Sequence, residues 1–173
     1  DAIENRPAFD EQAFRAEHQL TDKPIVALLP GSRKQEIKKM LSRMLSITEF
    51  FPDYEFVIAG APSQDFELYK PFLKGKNIAF VNNQTYKLLS IAHVALVTSG
   101  TATLETALFG VPEVVCYKGS WLSYQIAKRI ITLKYISLVN LIMDREVVKE
   151  LIQGDLNTKN LRIELQKLLN PAT

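Results

Sequence analysis

Five short apolar runs recur along this chain, at residues 24–29, 55–59, 77–81, 94–97 and 113–117, and each is followed by a segment with helical spacing. The first, Pro24-Ile25-Val26-Ala27-Leu28-Leu29, shows no polar alternation, which is the pattern of a parallel strand buried on both faces. Residues 35–51 place Ile37, Met40, Leu41, Met44, Leu45, Ile47 and Phe50 at mostly helical spacing before Pro52 stops the pattern. Further helical stretches are expected at residues 63–72, 85–91, 101–109 and 121–133. Parallel strands need crossover connections of about a dozen residues or more, and strand-helix alternation at this spacing supplies them. The expected fold is therefore α/β, a doubly wound parallel sheet of the Rossmann-like type.

The flanks divide the chain. Residues 7–20 carry Phe9, Ala13, Phe14, Ala16 and Leu20 among charges, as an amphipathic lead-in helix opened by Pro7 would. Beyond Tyr135 a short sixth strand is compatible with residues 136–139, and helices are expected at 145–152 and 158–169. Gly154-Asp155 reads as a late hinge. The expected organisation is a lead-in linker and helix over 1–23, a Rossmann-like domain over 24–153 and a C-terminal helical segment over 154–173.

In a sheet ordered 3-2-1-4-5 the windings diverge between strands one and four, and ligands bind in the crevice beyond their carboxyl ends. The two most distinctive loops fall there: Pro30-Gly31-Ser32-Arg33 after the first strand, and Thr98-Ser99-Gly100-Thr101-Ala102-Thr103-Leu104-Glu105 after the fourth. The small residues Ser99, Gly100, Thr101 and Ala102 open a helix whose first amides lack partners, a site suited to a diphosphate. Helical side chains lean toward the N-terminus, so Glu105, about one turn in, can reach a ribose hydroxyl beside those phosphates. Arg33 offers a planar fork of donors to phosphate oxygens, with Gly31 and Ser32 forming the turn before it. Each loop also has a plainer reading, as an N-cap or a tight turn; their joint position at the switch point favours a site. No Gly-Lys-Ser/Thr follows Pro30-Gly31 and no Gly-x-Gly-x-x-Gly follows the first strand, which disfavours ATP hydrolysis and NAD binding.

The run Ser99-Gly100-Thr101-Ala102-Thr103-Leu104-Glu105, with Ala107 and Gly110-Val111-Pro112-Glu113-Val114-Val115, resembles the donor-site signature of glycosyltransferases with two Rossmann-like lobes, the GT-B fold. Within that class four segments are similar to the lipid-A-disaccharide synthase family: Leu28-Leu29-Pro30-Gly31-Ser32-Arg33, Ala127-Lys128-Arg129, Tyr135-Ile136-Ser137-Leu138-Val139-Asn140-Leu141-Ile142 and Glu146-Val147-Val148-Lys149-Glu150-Leu151. The resemblance runs from the first residues to about Gln153. It implies the C-terminal lobe of an inverting, metal-independent enzyme. Its donor would be UDP-2,3-diacylglucosamine and its acceptor lipid X, 2,3-diacylglucosamine 1-phosphate; the products would be the β-1,6-linked lipid A disaccharide and UDP. By position, Gly31, Ser32 and Arg33 would meet the diphosphate, Ser99 to Ala102 would line it, Glu105 would face the ribose and Asn140 would lie near the nucleotide. For Asn140 an equal alternative is an amide that satisfies loop backbone.

The family enzyme places another Rossmann-like lobe before this one, carrying the acceptor site and the carboxylate base. The chain opens at Asp1 on a charged segment and has no counterpart to that lobe, so it is expected to be a cut piece, inactive alone, with no catalytic residue assignable beyond Arg33 as a leaving-group stabiliser. The family also exchanges C-terminal segments between subunits, so a homodimer built that way is one expected partner. Two alternatives stay open: another sugar-nucleotide enzyme of this architecture, such as a UDP-N-acetylglucosamine 2-epimerase, and a non-catalytic nucleotide-binding module.

Composition narrows the partners. Twenty-one basic against nineteen acidic residues give a net charge of +2, too slight a field for nucleic acid. Two histidines, His18 and His93, and one cysteine, Cys116, offer no metal-ligand spacing, so neither metal nor cofactor is expected. Cys116 reads as a small buried residue, and Asn83-Gln84-Thr85 as a chance match to a glycosylation acceptor. No apolar run is long enough to span a bilayer and no signal segment opens the chain, which points to the cytoplasm. The stretch from Trp121 to Lys134 mixes aromatic and basic residues; core packing is the favoured reading over peripheral membrane contact. Lys34, Lys38 and Lys39 form a basic patch that either steers an anionic donor or solvates a helix face.

Overall fold

The computed structural model describes residues 10–118 and 135–170. Its strands are β1 (Ile25–Leu29), β2 (Glu55–Gly60), β3 (Ala79–Asn82), β4 (Val94–Thr98), β5 (Glu113–Tyr117) and β6 (Lys149–Ile152). They form one parallel sheet ordered β3-β2-β1-β4-β5-β6. The helices are α1 (Glu11–Glu17), α2 (Lys34–Met44, continued by a 3-10 turn over Leu45–Phe50), α3 (Phe66–Leu73), α4 (Thr85–Ile91), α5 (Thr101–Leu108), α6 (Leu138–Met143) and α7 (Thr158–Leu169). The expected helix at residues 121–133 lies outside the described residues.

Side chains alternate across each strand, and both faces are covered. On one face Val26, Leu28, Phe56, Ile58, Val94, Leu96, Val114 and Cys116 pack with Ile37, Met40, Leu41 and Met44 of α2, Tyr69 of α3, and Leu161, Leu165 and Leu169 of α7. On the other, Ile25, Ala27, Leu29, Val57, Ala59, Ala95 and Val97 meet Phe14 of α1 and Leu88 and Leu89 of α4. Every residue of β1, β4 and β5 is buried, which is why these segments appear in the sequence as unbroken apolar runs. Cys116 belongs to this core, and burial pushes its thiol up to about 12, so it is inert.

The chain after Tyr135 differs from expectation twice. Residues 136–139 form no strand; Ser137 caps α6, its hydroxyl accepting from the Asn140 N–H at 3.2 Å. The open edge of β5 is instead taken by residues expected to be helical, with Val114 opposite Lys149 and Tyr117 opposite Ile152. Along β6 Lys149 is exposed, Glu150 and Ile152 are half-buried and only Leu151 is buried, as suits a short strand at the sheet edge. Gly154-Asp155 sits in a 3-10 turn over Gln153–Asp155, after which α7 returns to the core. Asn157 caps α7 by accepting from Asn160 N–H at 2.9 Å, and Thr158 Oγ1 donates to Ser46 Oγ at 2.8 Å.

At the amino end of β5 stands Glu113, 2% exposed, with no hydrogen-bond partner for either carboxylate oxygen among the described residues. Burial raises its pKa from 4.5 to about 8. The folded chain therefore holds a proton that the unfolded chain has released, and stability falls as pH rises from 4.5 toward 8. Denaturant melts should show this fall. Glu113→Gln should flatten the profile and be the more stable protein at its alkaline end, by at least about 1 kcal/mol.

Candidate functional site

Beyond the carboxyl ends of β1, β2, β3 and β4 lies a cleft of about 700 Å³. One side is the turn after β1. Gly31 has φ +104°, a conformation that disfavours side chains, and a Cβ there would collide with the carboxylate of Glu36. That carboxylate accepts from the Ser32 N–H at 3.1 Å. The Ser32 carbonyl in turn accepts from Gln64 Nε2 at 2.9 Å, which ties this turn to the loop after β2. Gly31, Ser32 and Glu36 all line the cleft.

The second side is the loop from β4 into α5. Ser99 N–H donates to the Cys116 carbonyl at 3.0 Å, and Gly100, at φ +153°, sets the direction of the helix. Gly100, the N-cap residue of α5, brings no side chain to cap the helix. The Gly100 carbonyl accepts from Thr103 N–H and Oγ1, at 3.1 and 2.8 Å, so the first turn is closed while the helix start faces the cleft with Ser99, Gly100, Thr101 and Ala102. Thr98 is 4% exposed, lines the same cleft, and its hydroxyl has no partner among the described residues. Among the described residues, first-turn amides without a side-chain cap, a helix dipole and a buried hydroxyl without a partner are together what an anion could use here.

Sequence reasoning missed the third wall. Asn83, Gln84, Thr85, Tyr86 and Lys87 line the cleft from the turn after β3 and the start of α4. The signal available was the polar run Asn83-Gln84-Thr85, which as an isolated triplet suggests only glycosylation. Tyr86 packs on Phe109 with ring centroids 5.5 Å apart. Hydrogen bonding to Glu105 raises the Tyr86 phenol above its ordinary value, so that carboxylate stands at the α4 side of the cleft.

Of the residues singled out from sequence, Gly31, Ser32, Ser99, Gly100, Thr101, Ala102 and Glu105 share the cleft. Arg33 does not line it; it is exposed, at the N-cap of α2 beside the Gly31-Ser32 turn. Lys34 and Lys38 are also exposed, on the first turns of α2. Asn140 is elsewhere and fully buried. Its Nδ2 donates to the Val148 carbonyl at 2.8 Å and to Glu150 Oε2 at 3.0 Å, while Oδ1 accepts from the Val147 and Val148 N–H groups at 2.7 and 3.0 Å. Asn140 does not line this cleft; its amide holds the α6-to-β6 loop, where its four side-chain hydrogen bonds are made. Among the described residues no group of three His, Cys, Asp or Glu could hold a metal ion, and no helix is long and apolar enough to cross a membrane.

The sequence profile of the family described as lipid-A-disaccharide synthetase matches residues 1–172. The chain belongs to this family. It is 35% identical over 174 residues to a lipid-A-disaccharide synthase of Anaeromyxobacter dehalogenans, covering 96% of this chain and 45% of that protein. The Coxiella burnetii synthase is 40% identical over 153 residues, covering 86% and 40%. The chain thus spans less than half the length of these curated relatives. Solved structures share the fold at low identity. UDP-GlcNAc 2-epimerase from Neisseria meningitidis, bound to UDP-GlcNAc, matches with TM-score 0.63 at 17% identity over 94% of this chain and 40% of its own. The E. coli ADP-heptose lps heptosyltransferase II matches with TM-score 0.62 at 14% identity over 95% and 53%.

The hydrogen bonds of Asn140 give this family segment a test. Asn140→Ala strands two N–H groups and part of the Glu150 carboxylate, and should lower unfolding free energy by about 3 kcal/mol. Equilibrium denaturation measures this, and ligand affinity of the folded fraction should be unchanged.

Proposed function

We propose that this chain is the UDP-sugar-binding lobe of a lipid-A-disaccharide synthase. The observation that carries the reading is the uncapped start of α5, facing the cleft at the divergence of β1 and β4, with Glu105 one turn in. The diphosphate rests on the amides around Gly100 to Ala102 and on the Thr98 hydroxyl. Glu105, buttressed by Tyr86, accepts from the ribose hydroxyls, and the 83–87 wall encloses the base.

In the complete protein the donor is UDP-2,3-diacylglucosamine and the acceptor is lipid X, bound mainly by the other lobe. The acceptor's 6-hydroxyl attacks C1 of the donor from the face opposite UDP, and its proton passes to a carboxylate base on that lobe. The C1–O bond to UDP breaks as the new β-1,6 bond forms. This lobe lowers the barrier by stabilising the negative charge that develops on departing UDP, through preorganised amides and the dipole of α5. Arg33, from the rim, adds a charged donor to the leaving diphosphate. With those groups supplying the compensating charge, the reaction needs no metal ion. The same reading places the protein in the cytoplasm, peripheral at the inner membrane, as a homodimer with exchanged C-terminal segments.

Calorimetric titration with UDP, with ADP as control, tests the donor-lobe reading. Saturable binding that prefers UDP is expected, weakened about tenfold in Glu105→Gln and to a lesser degree in Arg33→Ala. A folded chain that does not bind UDP, or binds ADP equally, contradicts it.

A further inference from the structure

Glu36, in the first turn of α2, puts a negative charge into a cleft suited to anions. One carboxylate oxygen caps the Ser32 N–H and the group packs over Gly31, yet the side chain also lines the cleft. No cation lies within ion-pair distance of it among the described residues. A bare carboxylate opposes a diphosphate, so its place in the cleft makes sense only beside hydrogen-bond donors. The donors of a UDP-sugar are the base N–H, the ribose hydroxyls, and the hydroxyl and amide groups of the hexose. The first two are met by Glu105 and the α4 wall, which pack on the face of the sheet carrying Leu88 and Leu89. Glu36 projects from α2, which packs on the opposite face. Both groups line the same cleft as the start of α5. Beside Glu36 the end of β5 contributes Tyr117, 8% exposed, whose hydroxyl has no partner among the described residues. Burial, and then the charge of Glu36, raise that phenol.

We infer that Glu36 forms the hexose subsite, its free carboxylate oxygen accepting from a hydroxyl or amide N–H of the glucosamine unit. The inference rests on the nucleotide reading above. It also explains why Gly31 cannot carry a side chain: a Cβ there would push the carboxylate off Ser32 and out of register with the sugar.

The test compares UDP with UDP-N-acetylglucosamine by calorimetry on the wild-type chain and on Glu36→Gln, which keeps the acceptor for Ser32 and so the fold; circular dichroism melts verify this. The expected result is that the ratio of the two dissociation constants, UDP-N-acetylglucosamine over UDP, rises about tenfold in Glu36→Gln, the size of one hydrogen bond to a charged group, while UDP itself binds as well or better. An unchanged ratio overturns the hexose assignment and leaves the nucleotide reading standing. Loss of UDP binding in Glu36→Gln alone overturns it also, by making Glu36 part of the phosphate cradle. Failure of the wild-type chain to bind UDP removes both, and is distinguished by occurring without any substitution.

Discussion

The pairing of β1 with β4 is the constraint on which the rest of this structure depends. Val26 faces Val94 and Leu29 faces Val97 in a parallel ladder, although about seventy residues separate them in the chain. From β1 the sheet grows outward in one direction through β2 and β3, and in the other through β4 and β5. At that reversal the connections leave for opposite faces, α2 to one and α5 to the other, and a cleft opens between them beyond the carboxyl ends. The cleft is therefore a consequence of winding. Its two glycine turns serve the same geometry: Gly31 lets α2 begin under the Glu36 carboxylate, and Gly100 turns the chain so that α5 begins facing the gap.

Charge is divided unequally between the two helix starts at this gap. The α2 start already holds an acidic side chain, because Glu36 caps the Ser32 amide. The α5 start has Gly100 at its N-cap and so no capping side chain from that residue, and the hydroxyl of its neighbour Thr98 has no partner among the described residues. On the proposed reading the charged centre of the ligand rests at α5, and its hydroxyl-bearing groups at the acidic flanks of Glu36 and Glu105. Such a partition suits an extended ligand with a charged centre and neutral polar ends. It does so with backbone groups and two carboxylates held by neighbours, Glu36 by Ser32 and Glu105 by Tyr86, so little reorganisation is needed on binding.

Strands β1, β2, β4 and β5 were legible because they are buried on both faces, and burial on both faces writes itself as an unbroken apolar run; β3, half-buried at the sheet edge, was legible from its place in the strand-helix alternation. Helix α7 was legible over its whole length, since Leu161, Leu165 and Leu169 recur on one stripe behind an Asn cap. The stretch 136–152 was not. Val147, Val148, Leu151 and Ile152 have a spacing that fits a helix as well as a strand, and the choice is made by the free edge of β5, which is distant in sequence. The site shows the same division. The loops after β1 and β4 were recognisable from local chemistry, whereas the α4 wall reaches the cleft only through sheet order. Asn140 carries two equal readings in the sequence because a buried amide that closes a loop and one that touches a ligand look alike there; its four internal hydrogen bonds are those of the loop-closing amide.

Backbone amide shifts on titration with UDP report directly where an anionic nucleotide settles. The largest changes should fall on Ser99, Gly100, Thr101 and Ala102, with a second group at Asn83 to Tyr86, and the Asn140 amide should stay still. Shifts confined to the exposed basic face of α7, around Lys159 and Arg162, or absent from the Ser99–Ala102 turn, would contradict the donor-lobe reading.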